Sequence, residues 1–187
     1  MKYAVLALLA ASALACARDS GSQTLSANNT ALWWTYLADY DGVPGSTVVN
    51  LALKDRAPLP GYTTLVVTGV TYRAPPERSG LPTGDDIDFL NQLSETRLKL
   101  IAQSTEAMLA GSFTHKNERL DYVYVKDASG LAERLRTFYS TAAPNRTPYV
   151  SVKQDAQWEA YFNFLYPNQQ TLQHYRSELQ ALGVKLP

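Results

Sequence analysis

The chain has 187 residues, 45% hydrophobic and 18% charged, a balance that fits a globular domain with a buried core. Its 17 basic residues are matched by 17 acidic ones, which removes the sequence-independent attraction on which nucleic-acid binding depends, so no nucleic-acid partner is expected. One cysteine and two histidines are too few for a structural zinc site and leave no internal disulfide, so neither a metal nor another cofactor is expected.

Residues 1–15, MKYAVLALLAASALA, join one basic residue, Lys2, to an apolar run ending in small residues, the layout of a secretory signal peptide. The run from Ala4 to Leu14 spans about eleven residues where a membrane-crossing helix needs roughly twenty, so it is not a mature anchor. Cys16 follows Ala13-Leu14-Ala15 directly. This arrangement resembles the lipobox of bacterial lipoproteins, which implies acylation of Cys16 and a membrane partner reached through that lipid. Ala17 after the cysteine resembles the outer-membrane sorting pattern, facing the periplasm. The alternative is a plain signal cut at the same bond, leaving a soluble periplasmic or secreted protein. Residues 16–32 then form the attachment point and a polar, flexible tether, and residues 33–187 a single α+β domain.

From Trp33 to Tyr40 the chain is aromatic-rich, and Asp41 to Gly45 is dense in turn residues before the β-branched run Ser46 to Leu53, which predicts a hairpin. Thr63 to Tyr72 is the next strand. Leu65-Val66-Val67 is apolar on both faces, as in a central strand, and Gly69 marks a close approach or a bulge. Thr83-Gly84-Asp85-Asp86 opens a long helix expected to reach Leu109 and to end at Gly111. Ser112–Thr114 and Leu120–Val125 flank His115-Lys116-Asn117-Glu118 as a second hairpin. Ser129 is placed to cap a helix through Leu131, Leu135 and Phe138, and Tyr149–Lys153 is a short strand put at an edge by Pro148. Asp155 caps a turn carrying Trp158, Tyr161 and Phe162; Asn168 caps a last helix that Gly183 stops. The order from Thr63 is strand, helix, strand, strand, helix, strand. This is the split βαβ pattern of a ferredoxin-like sandwich, with an added N-terminal β-hairpin and a C-terminal helix.

Several spaced motifs fall outside this structural account: Trp33-x-x-Tyr36, Asp41-Gly42-x-Pro44-x-Ser46, Val49-Asn50-Leu51, Gly80-Leu81-Pro82, and Trp158-x-x-Tyr161-x-x-x-Leu165-Tyr166-Pro167. Together they resemble the bacterial domain-of-unknown-function family 695 over nearly the whole mature domain. Leu90 and Leu93 match that family's Leu-x-x-Leu-Glu-Asp pattern, but Ser94 and Glu95 stand in the acidic places, and Asn117 occupies the place of a common turn glycine. The resemblance implies no established activity. Some members carry a further domain similar to an inhibitor of a bacterial endoribonuclease, which implies a regulator of RNA processing as one alternative.

For chemistry, His115 lies close in sequence to Glu118 and Asp121, and an imidazole titrates near neutrality, so a hydrolase built on this set is a second alternative. Neither a nucleophile elbow nor a phosphate loop accompanies it, and a solvated hairpin residue explains it equally. Asp85, Asp86 and Asp88 lack the further ligands of a calcium loop. Trp33, Trp34, Tyr36, Trp158 and Tyr161 stand at the two ends of the domain, where they either line a groove for a protein, peptide or glycan partner or join the terminal elements as core. No catalytic residue is assigned. The expectation is an envelope lipoprotein acting as a non-enzymatic binding or interaction module.

Overall fold

The computed structural model describes residues 31–184. The signal segment, Cys16 and the tether up to residue 30 lie outside the described residues. Trp33–Tyr40 (β1) turns at Asp41-Gly42 and returns as Val43–Asn50 (β2). Both turn residues have positive φ, 56° and 78°, the two-residue turn whose twist matches that of the paired strands. The turn is shorter than expected: Pro44 and Gly45 belong to β2, paired with Asp39 and Ala38. After Asn50, whose side chain accepts the Ala52 amide at 3.2 Å, one 3-10 turn, Leu51–Leu53, replaces the end of the expected strand.

Thr64–Thr71 (β3) is the doubly buried strand that its apolar run predicts, with Val66 and Val70 in one core and Leu65 and Val67 in the other. Gly69 is the close approach: a Cβ there would lie 1.8 Å from the Arg119 carbonyl oxygen. Thr83 begins the helix Gly84–Ser104 (α1), but through its carbonyl, which accepts the Asp86 and Ile87 amides, and not through its hydroxyl. The helix ends five residues before Leu109. Thr105 is extended, and Ala107–His115 (β4) forms a strand. The helix preference of Ala, Met and Leu amounts to at most about 0.7 kcal/mol per residue, and pairing in the sheet outweighs it by satisfying the strand's backbone groups. Gly111 serves that pairing instead of a helix stop, since a Cβ would meet the Val48 carbonyl oxygen at 2.4 Å.

Lys116 and Asn117, both at positive φ, turn the chain into Glu118–Val125 (β5). Gly130, not Ser129, precedes the helix Leu131–Ala142 (α2); Ser129 instead bonds Asp127 Oδ1 through its amide and its hydroxyl. Pro148–Gln154 (β6) runs along one edge, as Pro148 requires. The six strands form one sheet in the order β1-β2-β4-β5-β3-β6, antiparallel at every junction. The fold is α+β. It follows that β3 and β4 run in the same direction on either side of β5, joined by α1, while β5 and β6 flank β3, joined by α2.

The helices α1 and α2 bury Leu90, Leu93, Ile101, Leu131 and Leu135 against one face of the sheet, with Val66, Val123 and Val125. The opposite face is covered by the C-terminal segment: a π-helical turn, Tyr161–Leu165, then Gln169–His174 (α3) and Arg176–Ala181 (α4). Asn168 caps α3 by accepting the Thr171 amide at 2.9 Å. The single helix expected after it is broken at Tyr175, whose ring packs edge-on against Trp34 at 5.3 Å. Gly183, at φ 77°, ends α4, with the Val184 amide returning to the Leu179 carbonyl at 3.0 Å.

Candidate functional site

Trp34, Tyr36, Trp158 and Tyr161 do meet, and they meet as core, with 4%, 4%, 0% and 0% of their surface exposed. Each has its polar atom satisfied internally. Trp34 Nε1 donates to Glu178 Oε1 (2.8 Å), the Tyr36 hydroxyl to the Leu165 carbonyl (3.0 Å), Trp158 Nε1 to the Tyr62 carbonyl (2.8 Å) and the Tyr161 hydroxyl to the Asn50 carbonyl (2.9 Å). These four residues join the two ends of the chain to the sheet, the second of the roles weighed for them, and are closed to a ligand. Trp33 is half-buried and, one residue from Trp34 along β1, points to the other face. Asp155 holds the turn before Trp158: its carboxylate accepts the Glu159 and Ala160 amides (2.7 and 3.0 Å) and the Tyr124 hydroxyl (2.7 Å). Burial alone would raise the Asp155 carboxyl, but these hydrogen bonds outweigh it and hold the group below the usual carboxylate range.

The set His115, Glu118 and Asp121 is divided by the sheet. Asp121 is buried on the helix face, where Arg97 Nη2 and the Ser94 hydroxyl both donate to its Oδ2. Arg97 Nη1 also donates to the Tyr139 hydroxyl at 2.8 Å, and Tyr139 shares a 2.8 Å hydrogen bond with Thr68. This network fastens α1 and α2 to β3 and β5. His115 and Glu118 stand directly opposite each other across the second hairpin, on the other face. Asp86 of the acidic helix start pairs with Arg146 at 2.9 Å.

Around His115 the sheet carries an aromatic surface that its residues' separation in sequence conceals. The Tyr40 ring meets Phe113 edge-on at 4.8 Å and lies 5.6 Å from His115, and Phe113 stacks on His115 at 5.6 Å. Gly45 makes room for this, because a Cβ there would stand 2.7 Å from the Tyr40 ring and 3.0 Å from Phe113. The π-helical turn buries Tyr161 and Leu165 and carries Phe164 onto the same surface, 4.9 Å from Phe113 and 5.6 Å from Tyr122. Tyr40, Phe113, His115, Tyr122 and Phe164 are all half-buried, and Tyr149, on β6 beside Gly69, is 43% exposed. Burial holds the Tyr122 phenol well above the usual tyrosine range, reinforced by Tyr149, Glu118 and Tyr40. The aromatic-rich run that ends at Tyr40 and the hairpin position of His115 are the sequence signals for this surface; nothing local marks Phe164 or Tyr149.

Glu118 is the cost of the arrangement. Desolvation raises its carboxyl above the ordinary glutamate value, and among the described residues no cation pairs with it. A carboxyl whose folded-state value is raised binds its proton more tightly when folded. The charged group therefore opposes folding above that value, and the penalty fades as pH falls through it. Glu118→Gln is accordingly expected to raise the melting temperature slightly at pH 7 and to leave it unchanged near pH 3. Thermal scans across that range would show a constant difference if Glu118 were simply solvated.

Shallow cavities lie elsewhere, one of about 670 Å³ between α1 and α2 near Arg134 and Phe138 and one of about 340 Å³ beside Arg78 and Ile87, and His115 lines neither. Among the described residues no three His, Cys, Asp or Glu side chains are grouped to hold a metal ion, and no helix is long and apolar enough to cross a membrane. Neither the curated proteins nor the solved structures contain a match to the chain. The model of a family of unknown function (DUF695) matches residues 31–166, most of the described chain, and the protein belongs to that family.

Proposed function

We propose that the chain is an envelope lipoprotein whose folded domain is a non-enzymatic binding or interaction module. Export by residues 1–15, acylation at Cys16 and a tether over residues 16–32 account for the first part, with an outer-membrane position facing the periplasm. The observation that carries the binding part is the half-covered aromatic face around Tyr40, Phe113, Tyr122 and Phe164, because packed cores close over such rings and a binding surface keeps them accessible. The strand order β6-β3-β5-β4, with α1 and α2 on one face, supports the ferredoxin-like reading, the hairpin β1-β2 being added at the β4 edge. In the hydrolase alternative His115 and Glu118 act without Asp121, which Arg97 and Ser94 occupy on the opposite face.

Metabolic labelling with a palmitate analogue tests the anchor. The label is expected on the full-length chain in the membrane fraction and absent from Cys16→Ala; label that persists in the variant would overturn lipidation. A photocrosslinker at position 149 in intact envelopes tests the binding face, with one identified partner expected and an uncrosslinked chain counting against it.

A further inference from the structure

The two edges of the sheet are finished differently. At the β1 edge the outward amide and carbonyl of Leu37 are both taken by the Tyr175 hydroxyl, at 3.4 and 3.3 Å, and the Trp34 indole holds Glu178 of α4 against the same strand. The β6 edge has no such cover. Thr71 donates its amide to the Thr147 carbonyl at 3.0 Å, and Asp155 donates its own to the Thr63 carbonyl at 2.9 Å. Alternation between these two pairs directs the backbone of Tyr149, Ser151 and Lys153 to β3 and turns the amides and carbonyls of Val150, Val152 and Gln154 outward. Among the described residues no hydrogen bond reaches those outward groups, and the side chains of Tyr149 and Val152 are 43% and 37% exposed. Such an edge is a template for another strand.

We propose that the strand it takes is β6 of a second copy of the chain, the two pairing antiparallel about a two-fold axis at Ser151 and joining their sheets. The argument is that Pro148–Gln154 is complementary to itself. Pairing centred on Ser151, the middle residue, is the one register that uses the whole strand. Val150 of each copy then stands opposite Val152 of the other, and these outward-facing residues exchange both of their backbone hydrogen bonds. The Gln154 amide reaches the Pro148 carbonyl of the second copy, so the donor that proline lacks is missing only at the ends of the ladder. On the other face Lys153 lies opposite Tyr149 of the second copy, a cation beside an aromatic ring. Other registers lose these matches. A shift of two residues leaves Pro148 inside the ladder in one direction and outside it in the other, and a shift of four sets Lys153 against its own counterpart.

A pair of strand edges buries less than the roughly 1,600 Å² of a standard interface, so the test traps the pair covalently, in the purified full-length chain in mild detergent. The two Ser151 residues would be non-hydrogen-bonded neighbours with α-carbons about 4.5 Å apart, within disulfide range. Ser151→Cys, oxidised with copper phenanthroline, is expected to give a covalent dimer about tenfold above the parent chain, whose one cysteine is Cys16. Lys153→Cys, about 14 Å from its counterpart in this register, is expected to stay at the parent level. Adding Tyr149→Lys to Ser151→Cys sets lysines opposite each other and is expected to cut the dimer about fivefold; adding Lys153→Glu as well returns an opposite charge and restores it. Tyr149 and Lys153 are exposed on the edge strand, and the rescue separates a lost contact from a lost fold. The inference is overturned if Ser151→Cys gives no more dimer than the parent, if Lys153→Cys crosslinks as fully, or if the charge pair does not restore what Tyr149→Lys removes. The pairing does not rest on the binding-module reading, since the disulfide forms whether or not the aromatic face holds a partner. A second copy of the chain crosslinked from position 149 would report this edge and not a partner of that face.

Discussion

Trp158→Ala is expected to destabilise the domain by about 3–5 kcal/mol, where about 5–15 kcal/mol holds a typical domain folded. The indole is completely buried and lies flat on Tyr124, with ring centroids 3.8 Å apart and planes 3° from parallel. Its Nε1 donates to the Tyr62 carbonyl, so alanine leaves both a cavity and an unpaired buried acceptor. The backbone strain at this position is common to parent and variant, and only the parent has the ring to help sustain it. Trp158 sits at φ 57°, a conformation that a bulky residue rarely adopts and that costs about 1–3 kcal/mol, sustained here by the Asp155 cap and the packing of the ring. Urea unfolding would read the loss directly. Trp158→Phe keeps an aromatic ring but not the donor and should fall between parent and alanine; a loss below about 1 kcal/mol for alanine would mean that the C-terminal layer does not depend on this residue.

Asp121→Ala is expected to cost a similar amount, about 3–5 kcal/mol, for an electrostatic reason. Arg97 has only 3% of its surface exposed and would remain charged between α1 and the sheet without its counter-ion. Removing the charge together with its partner tests this account. The double variant Arg97→Met/Asp121→Leu should recover most of the stability, since replacing a buried ion pair by apolar residues of similar volume is often close to neutral. If the double variant were as unstable as the sum of the single ones, the network with Tyr139 and Thr68, and not the charge balance, would be the source of the loss.

Local sequence made much of the architecture readable where local and tertiary preferences agree. β3 announces its central position because both its faces are apolar, and Asp41-Gly42 and Lys116-Asn117 occupy the positive-φ turns of the two hairpins. Asp155 and Asn168 cap the turn and helix assigned to them. The reading strays where the two disagree. Residues 107–111 favour a helix by composition yet pair with β5 as the start of β4, Gly111 pairing with β2 as well, and Tyr175 interrupts a regular apolar spacing to reach β1, its hydroxyl bridging the amide and carbonyl of Leu37 at 3.4 and 3.3 Å. For the site the difficulty is of another kind. Trp34 and Trp158, the most conspicuous aromatic residues of the sequence, are large enough to be needed in the core. The accessible rings come from five separate elements, and only the strand order places Tyr40, Phe113, Tyr122 and Tyr149 on one surface.

The hairpin β1-β2 also fixes how mechanical load would pass through the molecule. The chain enters β1 at Trp33, and the aromatic face lies toward Tyr40, seven residue steps or about 24 Å further along the strand. Tension between the proposed anchor on one side and a ligand held on the other runs parallel to the strands. The eight paired positions from Trp33↔Asn50 to Tyr40↔Val43 are then loaded in shear and resist together, instead of opening one after another like a zip. An edge hairpin that would peel easily from its tip is thereby strong in the one direction in which the proposed tether would pull it.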